Sequence, residues 1–146
     1  MTQKIVAEFK CKECGNKTET VRLLPRGAAG NYCSGDAIKY NFDSETMMLS
    51  PEEAAIVGAA LAAADAAAVH AAHPRWLASY CPKCGACYCR KHWKIEQWPD
   101  PASDSYSMHY DTFGTCPLKH RRLMAKDGMG WPDETKDAGP IILHGK

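Results

Sequence analysis

The sequence predicts a small α+β domain, and three observations lead to this class. Short segments of alternating polarity, which suit half-buried strands, flank cysteines near both ends of the chain. One alanine-rich stretch carries signals for a helix start and a helix end. Pairs of cysteine and histidine residues are spread between these elements. The chain of 146 residues has the size of one domain, but much of its 45% hydrophobic content is alanine, so its apolar core alone would be small.

The most specific pattern is a set of closely spaced cysteine and histidine pairs. These pairs are Cys11–Cys14, Cys81–Cys84, Cys89–His92 and Cys116–His120. Two tetrahedral zinc sites need eight sulfur or imidazole ligands, and the four pairs supply eight. The sequence therefore predicts two structural zinc ions that stabilise the fold. Coordination by protein ligands alone leaves no position for a reactive water, so we do not expect an enzyme.

The pairs can be combined in more than one way. In a cross-brace, Cys11–Cys14 shares an ion with Cys89–His92, and Cys81–Cys84 shares the other with Cys116–His120. In a zinc-ribbon-like arrangement, the first two pairs share one ion and the last two share the other. In a third arrangement, Cys81, Cys84, Cys89 and His92 hold a single ion and the other two pairs bind none. The gap from Cys84 to Cys89 spans up to ~16 Å if extended, so adjacent pairs most simply serve different ions and the cross-brace is favoured.

A family resemblance is carried by YCRKHW, by Trp98 beyond it, and by TCPLKHR. These resemble the second half of RING-type and related cross-brace (treble-clef-like) domains, over about residues 81–122. There an aromatic residue precedes the third pair, a tryptophan lies between pairs, and the last pair opens with Cys-Pro. The chain departs from RING domains in its C-x2-C second pair, in His120 as final ligand and in the 66 residues between the first two pairs. The resemblance implies a ubiquitin-ligase-like module.

Alternating patterns predict three N-terminal strands, over residues 4–10, 18–24 and 37–42. The residues predicted to point inward are Ile5, Ala7, Phe9, Val21, Leu23, Ile38, Tyr40 and Phe42. The first two strands enclose CKECG, and Gly15 suits its turn because glycine adopts positive φ without steric cost.

A single long alanine-rich helix is predicted over about residues 51–73. Ser50 is a candidate N-cap, Pro51 suits the first helical position, and Glu53 completes a capping box. Pro74 ends the pattern. The helix would be an insertion, residues 50–74, in one two-zinc domain over residues 1–126, followed by a tail at 127–146.

Downstream, the sequence predicts a short helix over 93–98, a strand over 108–115 and a last helical turn over 118–127. The C-x2-H spacing of Cys89 and His92 before Trp93 suits the first turn of a helix, where the N-terminal dipole favours a thiolate. We interpret Cys87 as a hairpin filler beside the zinc and Cys33 as a buried small hydrophobe.

Composition narrows the classes of function. The net charge of +1 creates no global field for nucleic acid or membrane, and MTQKIVAEFK has no secretory apolar core. Asp65 within the alanine-rich stretch argues against a membrane span. A cytoplasmic protein is therefore expected.

The favoured hypothesis is a zinc-shaped adaptor protein, and the alternatives are the ligase-like module and a nucleic-acid-binding protein. We expect a protein partner to bind the surface formed by Trp98, Tyr106, Tyr110 and Phe113, or the long helix. The nucleic-acid alternative depends on a basic cluster, whose cations more simply neutralise the thiolates. The cluster comprises Lys83, Arg90, Lys91, Lys94, Lys119, Arg121, Arg122 and Lys126.

Four other histidines are interpreted as minor candidates. His70 and His73 are interpreted as C-terminal helix residues that complement the helix dipole rather than as metal ligands. His109 could replace either histidine ligand, and His144 lies in the predicted tail.

Overall fold

Within the residues that the structure describes, the fold consists of small, mainly antiparallel sheets and two α-helices. The computed structural model describes residues 3–40, 45–99, 110–125 and 142–144. The strands in these ranges are β1 (Ile5–Lys10), β2 (Lys17–Leu24), β3 (Ala37–Tyr40), β4 (Glu45–Met48), β5 (Tyr80–Cys81), β6 (Ala86–Cys87), β7 (Lys94–Pro99), β8 (Tyr110–Thr115), β9 (Arg121–Ala125) and β10 (Ile142–Leu143). The helices are α1 (Pro51–Ala62) and α2 (Ala66–Ala72). The predicted α+β class is confirmed.

The first four strands form an antiparallel meander in the order β1-β2-β3-β4. Ala7, opposite Val21, and Leu23, opposite Ile38, lie in the interior. The three predicted strands are thus confirmed, except that Phe42 lies outside the described residues. Burial alternates clearly in β1, where Ala7 and Phe9 are buried between exposed neighbours, whereas β2 also buries Thr20 and Leu24 on its other face.

The prediction of one long helix over residues 51–73 is wrong, because the stretch forms two helices. The chain leaves α1 in a Schellman motif, with Ala64 at φ 49°, Asp65 N–H donating to Ala60 O at 2.9 Å and Ala64 N–H donating to Leu61 O at 3.0 Å. The Asp65 side chain then caps α2 by accepting from Ala68 N–H at 3.1 Å. A uniform alanine run hides this break, because alanine supports the helix on both sides of it.

Helix α1 packs against β1 and β2 of the meander, and α2 packs against α1 and the β5–β6 hairpin. The predicted capping box at Ser50 is present, with Glu53 N–H donating to Ser50 Oγ at 3.1 Å and Ser50 N–H to Glu53 Oε1 at 3.0 Å. A methyl group on Gly58 would lie 3.2 Å from a Leu23 methyl, so α1 approaches the sheet closely. Among the residues described, neither helix has the length and apolarity needed to span a bilayer.

The later part of the chain forms a second sheet in the order β10-β7-β8-β9 and a hairpin of β5 and β6. The helix predicted over residues 93–98 is wrong, because this segment is β7. Buried Ile95 and Gln97 alternate there with exposed Lys94 and Trp98, and this is the period of a strand. The last helical turn, predicted over 118–127, is also wrong, since β9 occupies residues 121–125. Within the predicted tail, β10 pairs with β7 in parallel.

Candidate metal centres

The first candidate centre joins the β1–β2 knuckle to a turn before β7. Cys11 and Cys14 lie on the knuckle, where Gly15 adopts φ 75° and donates its N–H to Cys11 O at 2.8 Å. Cys89 precedes a single 3-10 turn over Arg90–His92 and His92 ends it, so the predicted α-helical turn is wrong. The structure brings these two pairs together, with one ligand atom of each residue within 4.8 Å of the others.

The second candidate centre joins the β5–β6 hairpin to the turn between β8 and β9. Cys81 and Cys84 lie on the hairpin, and Gly85 repeats the glycine turn at φ 67°. Cys116 and His120 close the other turn, in which Cys116 N–H donates to His120 O at 2.9 Å. These four residues also place one ligand atom each within 4.8 Å of the others.

The spacing of the ligand atoms matches a tetrahedron. Zinc–sulfur bonds of about 2.3 Å and zinc–nitrogen bonds of about 2.0 Å place two sulfurs about 3.8 Å apart and a sulfur and a nitrogen about 3.5 Å apart. In the first centre, Cys14 Sγ lies 3.6 Å from Cys89 Sγ, and His92 Nδ1 lies 3.3 Å from Cys11 Sγ. The ligand atoms of the first centre are therefore spaced as in a four-coordinate metal site.

The second centre repeats this geometry. Cys84 Sγ lies 3.7 Å from Cys116 Sγ, and His120 Nδ1 lies 3.6 Å from Cys81 Sγ. Both histidines present Nδ1 to the sulfurs. The donor set is three thiols and one imidazole in each centre, which suits a borderline-soft divalent ion.

The two centres use the ligand pairs alternately along the chain. The first pair is grouped with the third and the second with the fourth. The ribbon-like alternative would instead unite Cys11 and Cys14 with Cys81 and Cys84, which the structure places in different groups. The knuckles are also linked directly, because Lys12 N–H donates to Cys87 O at 2.9 Å.

The environment of the thiols sets their protonation. Burial raises the pKa of Cys81 and of Cys89 to about 11. At Cys11, burial acts to raise the pKa, but backbone hydrogen bonds from Cys89, Cys14 and Glu13 together lower it to about 7. Metal ligation requires thiolates, so an ion that enters these centres must displace protons.

The remaining cysteines and histidines lie outside both groups. Cys87 is buried in β6, as expected for a hairpin filler, whereas Cys33 is only half-buried. His70 packs against Tyr80, with ring centroids 5.1 Å apart. His73 is the C-cap of α2, at the helix end where it was expected, and its Nδ1 accepts from Arg75 N–H at 3.2 Å, so it also caps the 3-10 turn that follows. His109 lies outside the described residues.

Sequence reasoning missed a buried polar junction between the two sheets. Glu19 on β2 is 2% exposed, and its Oε2 accepts from Ser79 N–H at 2.7 Å. From β9, the Arg122 guanidinium donates to Pro74 O at 3.2 Å, to Leu77 O at 3.1 Å and to Tyr80 O. The signal was present: Glu19 is in phase with Val21 and Leu23, so the register that buries them also buries the carboxylate.

His144 also has a role that the sequence did not predict. Its ring stacks on Trp98, with centroids 3.6 Å apart and planes 9° apart. The ring atom Nε2 of His144 lies 2.7 Å from Glu96 Oε2, and the backbone N–H of His144 donates to Gln97 O at 2.9 Å. One face of the expected partner-binding residue Trp98 is therefore covered by the chain itself. Tyr110 and Phe113 are half-buried, with Arg121 stacked over the Phe113 ring at 3.8 Å, and Tyr106 lies outside the described residues.

Comparison with known proteins gives a family for this chain. Neither a curated protein nor a solved structure matches it. A family model described as "Domain of unknown function (DUF8328)" matches residues 2–126, which include both candidate centres and all elements except β10. The chain belongs to the DUF8328 family.

Proposed function

We propose that this protein is a non-enzymatic interaction or adaptor protein, cytoplasmic in location, whose surface is shaped by two structural zinc ions in a cross-brace. One observation carries the proposal: two separate sets of three sulfurs and one nitrogen, each within 4.8 Å, with tetrahedral spacing. Thiolates and imidazole favour zinc over harder ions such as magnesium or calcium. Four protein ligands in each centre leave no open coordination position, which favours a structural role over catalysis.

The candidate interaction surface lies on the C-terminal sheet. Large apolar side chains are exposed on this sheet at Trp98 (39%) and Leu123 (45%), and in the turn between β8 and β9 at Leu118 (60%). Exposed aromatic and aliphatic side chains on a rigid, metal-held scaffold are suited to act as anchors in a protein interface. If the partner binds the helix instead, we expect it to contact Ile56 on α1, whose side chain is 62% exposed.

The zinc part of the proposal is tested by native mass spectrometry of protein purified without added chelator. We expect two zinc ions per chain, and one ion in each of the single variants Cys14→Ser and Cys84→Ser. One ion or none in the unmodified protein would contradict the two-site account.

The interaction part is tested by purifying the protein's complexes from native cells and reconstituting each with purified components. We expect Trp98→Ala to weaken a reconstituted complex by at least about tenfold, as for an interface anchor, and Ile56→Ala to leave it unchanged. Loss in the Ile56→Ala variant alone would move the interface to α1. A protein that forms no reconstituted complex would contradict the adaptor proposal while leaving the zinc result intact.

A ubiquitin-ligase-like activity is the second candidate. The alternating grouping of the pairs supports it, because the RING-type domains that residues 81–122 resemble use this order. The test is discharge of a thioester-charged ubiquitin-conjugating enzyme. Acceleration that disappears in the Cys14→Ser variant would support the activity, and no acceleration across a panel of such enzymes would exclude it.

A further inference from the structure

The outer edge of β7 is covered by a short C-terminal segment of the same chain, residues 142–144. On its other side, β7 pairs with β8 along all six of its residues. On the outer side, the two-residue strand β10 pairs only with Glu96 and Gln97. The family model ends at residue 126, so among the described residues of the matched domain the sheet ends at β7. The matched domain therefore has a strand edge that a separate segment fills.

The contacts of the C-terminal segment resemble those of a bound peptide. The backbone N–H of His144 donates to Gln97 O at 2.9 Å, and the His144 ring stacks on Trp98. The ring atom Nε2 also lies 2.7 Å from Glu96 Oε2. Two positions earlier, Ile142 lies beside an open cleft. In recognition by strand addition, main-chain hydrogen bonds provide affinity and alternate side chains provide specificity, as in this arrangement.

The C-terminal segment is held by few interactions. Its strand pairs with β7 in parallel, over two residue pairs, and parallel pairing is slightly less stable per residue than antiparallel pairing. Ile142 remains 38% exposed, so its burial contributes little. Short surface elements of this kind open at a much lower free energy than the whole domain does. Exchange with another strand therefore requires no unfolding of the sheet.

The part of the edge that β10 leaves uncovered lies beside a cleft of about 470 Å³. Lys94 and Ile95, the first two residues of β7, line this cleft together with Pro117 and Ile142. At the opposite end of β7, Pro99 has no N–H to donate to a neighbouring strand. The free length of the edge therefore runs toward Lys94, and a strand longer than β10 has room to pair there.

We propose that the β7 edge binds an extended segment of a partner protein, which pairs parallel to β7 in place of β10. The partner segment carries an aliphatic side chain at the position of Ile142. Two residues later it carries a ring with an N–H donor, which stacks on Trp98 and donates to Glu96 as His144 does. The C-terminal segment is the tethered competitor for this site. The choice of a protein as the partner rests on the adaptor function proposed above.

A second copy of this chain fits the edge less well than a different protein does. A tethered segment competes at an effective concentration of about 1 mM, so the same segment on a second copy gains no advantage over it. A partner strand that also pairs with Lys94 and Ile95 makes contacts that β10 does not make. Such a strand is able to displace the tethered one.

The test is fluorescence anisotropy with a labelled peptide of residues 139–146 and the full-length, zinc-loaded protein. In the double variant Ile142→Asp/His144→Ala, the tethered segment loses both side-chain contacts, and we expect this variant to bind the peptide saturably. The unmodified protein should bind it at least about tenfold more weakly, because its own segment competes. Adding Trp98→Ala to the double variant should weaken peptide binding by at least about tenfold, as for the loss of an interface anchor.

The matched control adds Val6→Ala to the same double variant. Val6 is 43% exposed on β1, the edge strand of the other four-stranded sheet, so it resembles Trp98 in exposure and position. The control should keep its affinity for the peptide within about twofold, as for a residue outside the interface. Zinc content and backbone amide spectra show whether each variant remains folded.

Three results of the titration would overturn the proposal. No peptide binding by the double variant up to about 1 mM, the effective concentration of the tethered segment, would show that this edge does not bind strands. Equal affinities of the unmodified protein and the double variant would show that the C-terminal segment does not occupy the site. Dimers of the unmodified protein that the peptide dissociates would assign the edge to a second copy.

A competition experiment separates this proposal from the adaptor proposal. We expect saturating peptide to displace the partner from a complex reconstituted with the double variant. A complex that persists would place the partner elsewhere, which overturns the strand-binding proposal and leaves the adaptor function standing. The peptide titration itself needs no partner protein, so the two proposals fail separately.

Discussion

The two four-stranded sheets of this protein differ in the residues that are buried against them. Around the N-terminal meander, the described residues form one apolar cluster of sixteen buried residues, including Leu23, Ile38, Leu61 and Trp76. The cluster beneath the second sheet has eight buried residues, and four of them are cysteines of the candidate centres. The second cluster is half the size of the first, and its apolar part consists of Tyr88, Trp93, Ile95 and Met124. If both centres hold zinc, we expect the ions to contribute more to the stability of the second region than to that of the first.

Metal removal should produce the largest effect and should separate the two regions. Structural zinc contributes about 10–16 kcal/mol of apparent binding free energy in small zinc domains, comparable with or larger than the 5–15 kcal/mol net stability of a whole domain. After chelation, we expect amide hydrogen-exchange protection to be lost at Ile95 and Phe113 and retained at Val21 and Leu23. Simultaneous loss of protection in both regions would show that the chain is a single cooperative unit.

A core truncation should act on the opposite region. Leu23→Ala removes a side chain that is 1% exposed in the N-terminal cluster and should cost about 3 kcal/mol of unfolding free energy. We expect urea denaturation to show this loss while the variant still binds two metal ions. The matched control is Val6→Ala on β1, 43% exposed, which should change stability by less than about 0.5 kcal/mol. Loss of a metal ion in Leu23→Ala would show that the core and the centres are not separable.

Disrupting the buried polar junction between the two sheets should lower the free energy of unfolding by a smaller amount, and this amount should depend on pH. Glu19→Ala should cost about 2 kcal/mol, because the buried Ser79 N–H loses its acceptor. Burial raises the pKa of Glu19, so the folded state holds this proton more tightly than the unfolded state does. Its contribution to stability is full below the ordinary pKa of 4.5 and is lost as the pH rises through the raised pKa.

The variant Glu19→Gln tests the direction of this pH dependence, because glutamine keeps an acceptor for Ser79 N–H and cannot ionise. Urea denaturation of the zinc-loaded proteins between pH 6 and 8 should show the variant gaining stability relative to the unmodified protein as the pH rises. A difference that is constant or falls with pH would contradict the assignment of a raised pKa.

The smallest change in stability should come from altering His144, which follows β10. His144→Ala removes the ring that stacks on Trp98 and the hydrogen bond to Glu96 that lowers the pKa of that carboxyl. Because the contact is partly exposed, global stability should change by less than about 1 kcal/mol. The Trp98 indole N–H resonance should shift clearly, however, while the resonances of buried Trp76 and Trp93 stay in place. An unchanged Trp98 resonance would show that this stacking does not persist in solution.

Predictions that depend on residues close together in the sequence were more accurate than predictions that depend on contacts between distant segments. The spacing of Cys11 and Cys14, the capping box at Ser50 and the alternation around Ala7 are local signals, and the structure shows the predicted local geometry at each. The break at Ala64 was missed because alanine carries no periodic signal that distinguishes one helix from two.

Interactions between distant segments were harder to predict. β7 was taken for a helix because a short segment with Trp93 and Trp98 at its ends fits either period, and its pairing with β8 decides the outcome. The contacts of Arg122 with residues 74–80 likewise join segments more than forty positions apart. Such contacts depend on the assembled fold and leave no local pattern.

The central claim is that two metal ions bind alternating ligand pairs, and cadmium-113 NMR tests it most directly. The protein is loaded with the isotope in place of zinc, and scalar couplings then identify which cysteine side chains bind each ion. The account predicts two cadmium resonances, one coupled to Cys11, Cys14 and Cys89 and the other to Cys81, Cys84 and Cys116. A single resonance, or one resonance coupled to Cys11, Cys14, Cys81 and Cys84 together, would contradict it.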